Sequence, residues 1–361
     1  MSEPPIAQHI LTYAEDLRGG GVERAQLRLA RGWLAAGRRV TLAIENIDGP
    51  LAAELPDGLE IVAPSRLLAL PTVVRRLAPD VIFCPGNFYT GVAAWTRLRL
   101  GQASPPIVAK MSNAPARADH GRLMHAAHQF WLARHGSFLD HLVAMTPATA
   151  DEAARATRMV GRTSVIPNPP ATPITDGSAA LPDGFAMPDR FILGVGRLEP
   201  QKRWDRLIAA VPALADRTVA LVILGEGTER DAIEAQVRAL GLSGRIHLPG
   251  HAADPLPAMR GATVLALTSD FEGVPGVLRE ALSVGTPVVS TNSSMAVQEI
   301  IDRPDRGTMV DREDAAGLVV ALNAWLEPGI MRPAPVPPPG ADSAERYLAL
   351  FDRLVTDAPT R

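Results

Sequence analysis

The sequence is short of cysteine, of lysine and of long apolar runs, and each shortage narrows what the chain can be. One cysteine, Cys84, stands among 361 residues. No intramolecular disulfide can form, which excludes a small disulfide-stapled fold. No apolar stretch approaches the roughly 20 residues that a spanning helix needs. The opening Met1-Ser2-Glu3-Pro4-Pro5 lacks the basic-then-apolar order of a signal peptide, so a cytoplasmic protein is expected. A basic surplus is missing too. The 36 basic and 39 acidic side chains leave a net charge of −3, which speaks against a nucleic-acid partner. What remains is 47% hydrophobic and 21% charged, a globular composition long enough for two domains of about 150 residues.

The charge is uneven. Residues 1–170 hold 18 basic and 14 acidic side chains, whereas residues 171–361 hold 18 and 25. A basic first half suits a domain facing anionic lipid or a phosphorylated partner, and scatter between two domains produces the same asymmetry.

Along the chain, short apolar runs alternate with helical patterns. Strands are expected at 6–13, 40–44, 59–63, 81–84, 107–110, 142–145 and 164–166, with helices at 22–36, 67–77, 90–100, 122–135 and 148–159. From 167 to 189 the pattern stops in a proline-rich linker. It resumes with strands at 191–196, 219–224, 245–248, 263–267, 287–290 and 308–310, and helices at 201–214, 229–240, 277–283 and 314–326. A second proline-rich stretch, 328–340, precedes a last helix at 343–355. Such alternation marks parallel sheets covered on both faces, in two Rossmann-like halves. The expected division is a domain at 1–170, a linker at 171–190, a second domain at 191–335 and the detached helix at 341–356. Ligands in such folds sit at the carboxyl ends of strands.

Three places carry candidate chemistry. Gly19-Gly20-Gly21 lies between the first strand and first helix, where close backbone approach and a helix N-terminus suit an anion, and a structural turn reads equally well. Second, Arg197 and Lys202 flank a short loop after Gly196. One offers a planar fork and the other a mobile point charge to a shared anionic group. Lys110 and Lys202 are the only lysines against 34 arginines, and both follow predicted strands. Third, Glu272 and Glu280 bracket Gly273, Val274, Pro275, Gly276 and Val277. On a continuous helix the carboxylates would stand roughly 80° apart, but this Gly-Pro content opposes one. Glu272 is therefore expected in a loop, Glu280 in the first turn of the next helix, and free amides at Gly276 and Val277 between them. Two carboxylates suit hydroxyls, and a helix N-terminus suits phosphate.

These residues carry a resemblance. The segment from Glu272 to Glu280 is similar to the Glu-x7-Glu motif of the retaining glycosyltransferases of family 4. Gly196-Arg197-Leu198 through Lys202 resembles that family's Gly-Arg-Leu-x-x-x-Lys element. Gly19–Gly21, Ile166-Pro167-Asn168-Pro169, Leu224-Gly225-Glu226-Gly227 and 281–289 follow the family order as well. The resemblance implies an α/β glycosyltransferase B fold of two facing Rossmann-like domains, with the last helix crossing back to the first. By the same resemblance the donor is a nucleoside-diphosphate-sugar. Arg197 and Lys202 neutralise its diphosphate, Glu280 holds ribose hydroxyls, and Glu272 contacts the sugar. Gly196, Val274, Pro275, Gly276 and Val277 line the donor, while Gly20 and Gly21 approach the diphosphate from the first domain.

The implied reaction is retaining transfer to a glycan or lipid-linked acceptor, in cell-surface polysaccharide or glycolipid synthesis. Asp-x-Asp occurs nowhere, and fixed cations can stabilise the leaving diphosphate, so no metal and no other cofactor are expected. One departure concerns the family's first-domain histidine. The stretch 109–113 has none, which leaves Lys110, Asn113 or the later His120 for the acceptor or sugar side. Another is Ser290-Thr291-Asn292-Ser293-Ser294-Met295, where the family has a turn of Asp, Cys, Pro and Gly types. A non-catalytic sugar-nucleotide binder of the same fold is one alternative. A nicotinamide-dependent oxidoreductase is another, without its Gly-x-Gly-x-x-Gly fingerprint.

His125 and His128 could share a helix face as metal ligands, but ordinary partly buried histidines are the expected reading. Phe130-Trp131-Leu132-Ala133-Arg134 either packs its helix onto the sheet or forms a peripheral membrane contact of the first domain. Trp204 and Trp325 are expected in the core.

Overall fold

His9-Ile10-Leu11-Thr12-Tyr13-Ala14 is buried along its whole length, as a strand covered by helices on both faces must be. In the computed structural model, which describes residues 6–18, 20–113, 115, 122–170, 185–252 and 254–357, the chain divides into two units. One comprises Met1–Pro169 with Pro339–Arg361, and the other Pro170–Pro338.

The first unit runs β1 (His9–Ala14), α1 (Gly21–Ala35), β2 (Arg39–Ile44), β3 (Glu60–Val62), α2 (Leu70–Leu77), β4 (Val81–Cys84), α3 (Thr90–Leu100), β5 (Ile107–Lys110), α4 (Arg122–Ala133), β6 (His141–Ala144), α5 (Pro147–Thr157) and β7 (Thr163–Val165). All its strands are parallel, in the order β3-β2-β1-β4-β5-β6-β7. Alternate side chains of the sheet feed two cores. Leu11, Tyr13 and Ile82 meet Leu70, Val74 and Ala93, whereas Ile10, Phe83 and Val143 meet Trp33 and the C-terminal residues Tyr347 and Phe351.

The second unit runs β8 (Phe191–Val195), α6 (Trp204–Ala210), β9 (Ala220–Leu224), α7 (Arg230–Ala239), β10 (Ile246–Gly250), α8 (Leu256–Gly261), β11 (Val264–Leu267), α9 (Gly276–Ser283), β12 (Val288–Thr291), α10 (Met295–Ile300), β13 (Gly307–Val310) and α11 (Ala315–Trp325). Its parallel order is β10-β9-β8-β11-β12-β13. Trp204 and Trp325 are both in its core.

The final helix, α12 (Ser343–Thr356), belongs to the first unit. Trp33, Phe83, Tyr347 and Phe351 meet mostly edge to face, with centroids 5.2–6.3 Å apart. The Arg38 guanidinium grips both Asp352 oxygens at 3.0 and 2.8 Å, and the Ala7 amide donates to the same carboxylate. Ser343 Oγ donates to the Pro167 carbonyl at 2.7 Å, which places the returning chain beside the outgoing one.

Three expectations need correction. The first strand begins at His9, three residues late. The expected helix at 201–214 is broken: Pro200–Lys202 and Val211–Ala213 are 3-10 turns around α6. Arg203 between them is left-handed, with φ of 50°, and Pro212 opposes an α continuation. Helices α8 and α10, six residues each, were not expected at all.

Candidate functional site

The second sheet reverses its strand order between β8 and β11, the switch point at which a parallel sheet leaves a crevice beyond its carboxyl ends. The segments leaving those strands, 196–203 and 268–275, are stitched together. The Asp270 amide donates to the Gln201 carbonyl at 2.9 Å, and Gln201 Nε2 donates to the Phe271 carbonyl at 2.6 Å. Thr268 Oγ1 reaches the carbonyls of Lys202 and Arg203 at 3.2 and 3.0 Å. Arg206 and Arg203 both bind the Asp270 carboxylate.

Two side chains meet in this frame. Lys202 Nζ donates to Glu272 Oε1 at 2.6 Å, and Ser269 Oγ donates to the same oxygen at 2.6 Å. The Lys202 and Glu272 side chains are only 15% and 11% exposed. The Glu272 backbone is fixed as well, because its amide donates to the Ser293 carbonyl at 2.9 Å. Glu272 thus lies in a loop as expected, and its carboxylate holds the lysine that the resemblance assigns to the diphosphate. A buried ion pair balances both charges where water is scarce.

Arg197 stands differently. Trp204 Nε1 donates to its carbonyl at 3.0 Å and fixes its backbone, while its side chain is exposed and has no ion pair among the described residues. Gly196 packs against Gly225, where φ is +157° and a Cβ would fall 1.9 Å from the Gly196 carbonyl oxygen. Only glycine allows the Leu224–Gly227 backbone to come so close. The Leu198 amide then donates to the Glu226 carbonyl at 2.8 Å.

Pro275 caps α9 in an extended conformation, and no side chain caps that helix. Val274 and Val277 are half-buried against the core, while Gly276 is exposed. The Leu278 amide turns back to the Pro275 carbonyl, whereas those of Gly276 and Val277 have no hydrogen-bond partner among the described residues. Glu280 is the fifth residue of α9, in its second turn rather than its first, because the helix begins at Gly276, one residue earlier than expected. Four residues from Gly276, it lies on the same helix face.

In the first unit, Gly20 caps α1 and Gly21 begins it; Gly19 lies outside the described residues. The place where a Gly20 Cβ would point is taken by Glu23, whose Oε2 would stand 2.5 Å from it. Tyr89 Oη donates to Glu23 Oε1 at 3.0 Å. The carboxylate in the first turn complements the helix dipole. Lys110 ends β5 fully buried and donates to Asn168 Oδ1 at 3.2 Å. Burial pulls its pKa down to about 8, against the opposing pull of Glu23. Asn113 is exposed, and its amide shares Asn87 Oδ1 with the Ser112 amide. His120 lies outside the described residues.

Two of the histidines are tied into the fold. His135 Nδ1 is 3.0 Å from the Trp131 carbonyl and His141 Nε2 is 2.8 Å from Ser164 Oγ. Among the described residues no three His, Cys, Asp or Glu side chains gather to hold a metal ion. The 130–134 segment splits its roles. Leu132 is buried and Trp131 stacks on Phe138, but Phe130 is 67% exposed. No helix among the described residues is long and apolar enough to cross a membrane.

Sequence reading missed Ser269, which carries the signal of standing three residues before Glu272, and Asn87 and Tyr89, which carry none beyond polarity after a strand.

Comparison with known proteins supplies the family. Residues 19–170 match the model of Glycosyltransferase Family 4, and residues 182–334 that of Glycosyl transferases group 1. The N-acetylgalactosamine-N,N'-diacetylbacillosaminyl-diphospho-undecaprenol 4-alpha-N-acetylgalactosaminyltransferase of Campylobacter jejuni is 34% identical over 158 residues, covering 44% of this chain and 43% of that one. The lipopolysaccharide core biosynthesis glycosyltransferase LpsE of Rhizobium meliloti is 35% identical over 141 residues, 39% and 41% of the two chains. Each match spans about two fifths of the relative's length. The structure of Anabaena HepE in complex with UDP and glucose shares the fold, with a TM-score of 0.71 at 20% identity over 97% of this chain and 96% of that one.

Proposed function

The chain belongs to the family 4, group 1 glycosyltransferases, and from that premise we propose that it transfers a sugar, with retention, from a nucleoside-diphosphate-sugar to a glycan or lipid-linked acceptor. The observation that carries this is the meeting of Lys202 and Glu272 at the switch point, on a segment that leads directly into the uncapped start of α9. A diphosphate supplies the anion for the lysine, for the exposed guanidinium of Arg197 and for the amides of Gly276 and Val277. Hydroxyls of ribose and sugar supply donors for Glu280 and Glu272.

The chemistry follows from charge. As the glycosidic bond breaks, negative charge grows on the departing diphosphate, and cations already in place lower that barrier without reorganising. Arg197 and Lys202 fill the role that a divalent metal fills elsewhere, so the reaction runs without metal. Lys110, Asn113 and His120 remain the candidates for the acceptor or sugar side.

The acceptor class rests on two features. The Campylobacter relative's name describes a diphospho-undecaprenol acceptor. In the first unit, α4 leaves Leu123 (89% exposed), Met124 and Phe130 uncovered, with the Arg134 guanidinium 5.3 Å over the Phe130 ring. An apolar helix face with a neighbouring cation, on the more basic half of the chain, fits an anionic bilayer that carries such an acceptor. The reading is tested by nucleoside diphosphate release from UDP-, GDP- and ADP-sugars with a polyprenyl-diphosphate-linked sugar supplied as acceptor and a chelator present. Binding without release from any of them points to the non-catalytic alternative.

A further inference from the structure

Glu272 Oε1 accepts two hydrogen bonds of different kinds. Lys202 brings a full charge, and Ser269 brings a neutral hydroxyl at the same 2.6 Å. Ser269 is wholly buried, and Thr291 Oγ1 donates to its carbonyl at 2.6 Å. Thr291 ends β12, and Ser269 lies two residues beyond the end of the adjacent β11, so the loop that carries the hydroxyl is tied to the sheet by the Thr291 bond.

We infer that Ser269 is the positioning residue for Glu272, keeping its carboxylate in place when Lys202 turns to a diphosphate. The inference rests on the transferase reading above and adds to it a residue with its role. A bound diphosphate competes with Glu272 for the Lys202 ammonium. Its two negative charges attract the lysine more strongly than one carboxylate does. The neutral Ser269 hydroxyl is buried and, among the described residues, hydrogen-bonds Glu272 alone, so a diphosphate does not draw it away. It remains on Oε1 and fixes the orientation of the carboxylate toward the sugar. Without it, either Lys202 stays on Glu272 and the diphosphate is poorly neutralised, or the carboxylate is left unheld at the moment of transfer. Most ground-state affinity comes from the diphosphate contacts, so the loss falls on turnover rather than on donor binding.

Ser269→Val and Ser269→Thr test this, because the two add the same bulk and differ only in the hydroxyl. Steady-state release of nucleoside diphosphate in the presence of a polyprenyl-diphosphate-linked sugar acceptor is measured for both, with melting temperatures as a check on folding. The expected result is a kcat for Ser269→Val lower than that of Ser269→Thr by on the order of tenfold, the size of a hydrogen bond to a charged group. The donor KM of the two should agree within about threefold, and the threonine variant should stay near wild type. Equal kcat in the two variants overturns the inference and leaves the transferase reading standing, as does a loss confined to KM. If both fail to fold, Ser269→Ala is held to the same kinetic criterion. A wild-type protein that releases no nucleoside diphosphate from any donor overturns the transferase reading, and this inference with it.

Discussion

Lys202 and Glu272 stand seventy positions apart in the chain and 2.6 Å apart in space. The contact exists because β8 and β11 are neighbours in the sheet, so that the segments leaving them run side by side. The pair is mostly shielded from water, and removing either charge strands the other. Lys202→Ala is expected to lower stability by about 2 kcal/mol. Combined with Glu272→Ala it should cost less than the two single changes together, with a coupling of about 1 kcal/mol in denaturant titrations. Strictly additive losses would show that the pair is incidental.

Lys110 offers a pH test. Its folded pKa is lowered to about 8 from 10.5, the first cause being burial. Between those values the unfolded chain holds a proton that the folded chain has released, so raising the pH favours folding through this residue. The shift corresponds to on the order of 3 kcal/mol across that window. Lys110→Met cannot titrate and serves as the baseline, cancelling other alkaline groups such as Cys84. The stability of wild type relative to Lys110→Met should therefore rise from pH 8 to pH 10.5. A constant difference would mean that the ammonium is not buried.

The final helix should be an integral part of the first unit. Phe351 is fully buried among Trp33, Phe83 and Tyr347, so Phe351→Ala should destabilise by about 3–5 kcal/mol. Arg38→Ala removes the fork on Asp352 and should cost about 2 kcal/mol. Thermal unfolding measures both, and unchanged melting would detach α12 from the core.

The α4 surface gives a prediction away from the donor site. Wild type should float with vesicles containing anionic lipid, and less with neutral ones. Leu123→Ser with Phe130→Ser should abolish flotation while leaving the melting temperature unchanged, since both side chains are exposed. Flotation unaffected by the double change removes α4 from the membrane contact.

How much of this was readable in advance depends on what carries the information. The buried strands announce themselves as runs such as Phe191-Ile192-Leu193, because a sheet covered on both faces leaves no polar position. Arg197, Lys202, Glu272 and Glu280 stand out by chemical type and spacing. Their pairing was not, since Lys202 reaches Glu272 only through strand order. The turn at Arg203 depends on a left-handed residue that no glycine marks. Helices α8 and α10 are too short for periodicity to register. The start of α9 slipped by one residue, enough to move Glu280 into the second turn. Ser269 stands three residues before Glu272, but that spacing gains meaning only when its hydroxyl is seen on the carboxylate.

The most direct measurement is calorimetric titration of UDP-, GDP- and ADP-sugars, with chelator present, into wild type, Lys202→Ala and Glu280→Ala. One donor class should bind wild type saturably without metal, and each variant should weaken it by on the order of a hundredfold, as expected when a charge-assisted contact is lost. Binding that both variants retain in full, or that appears only when a divalent metal is restored, would contradict the account.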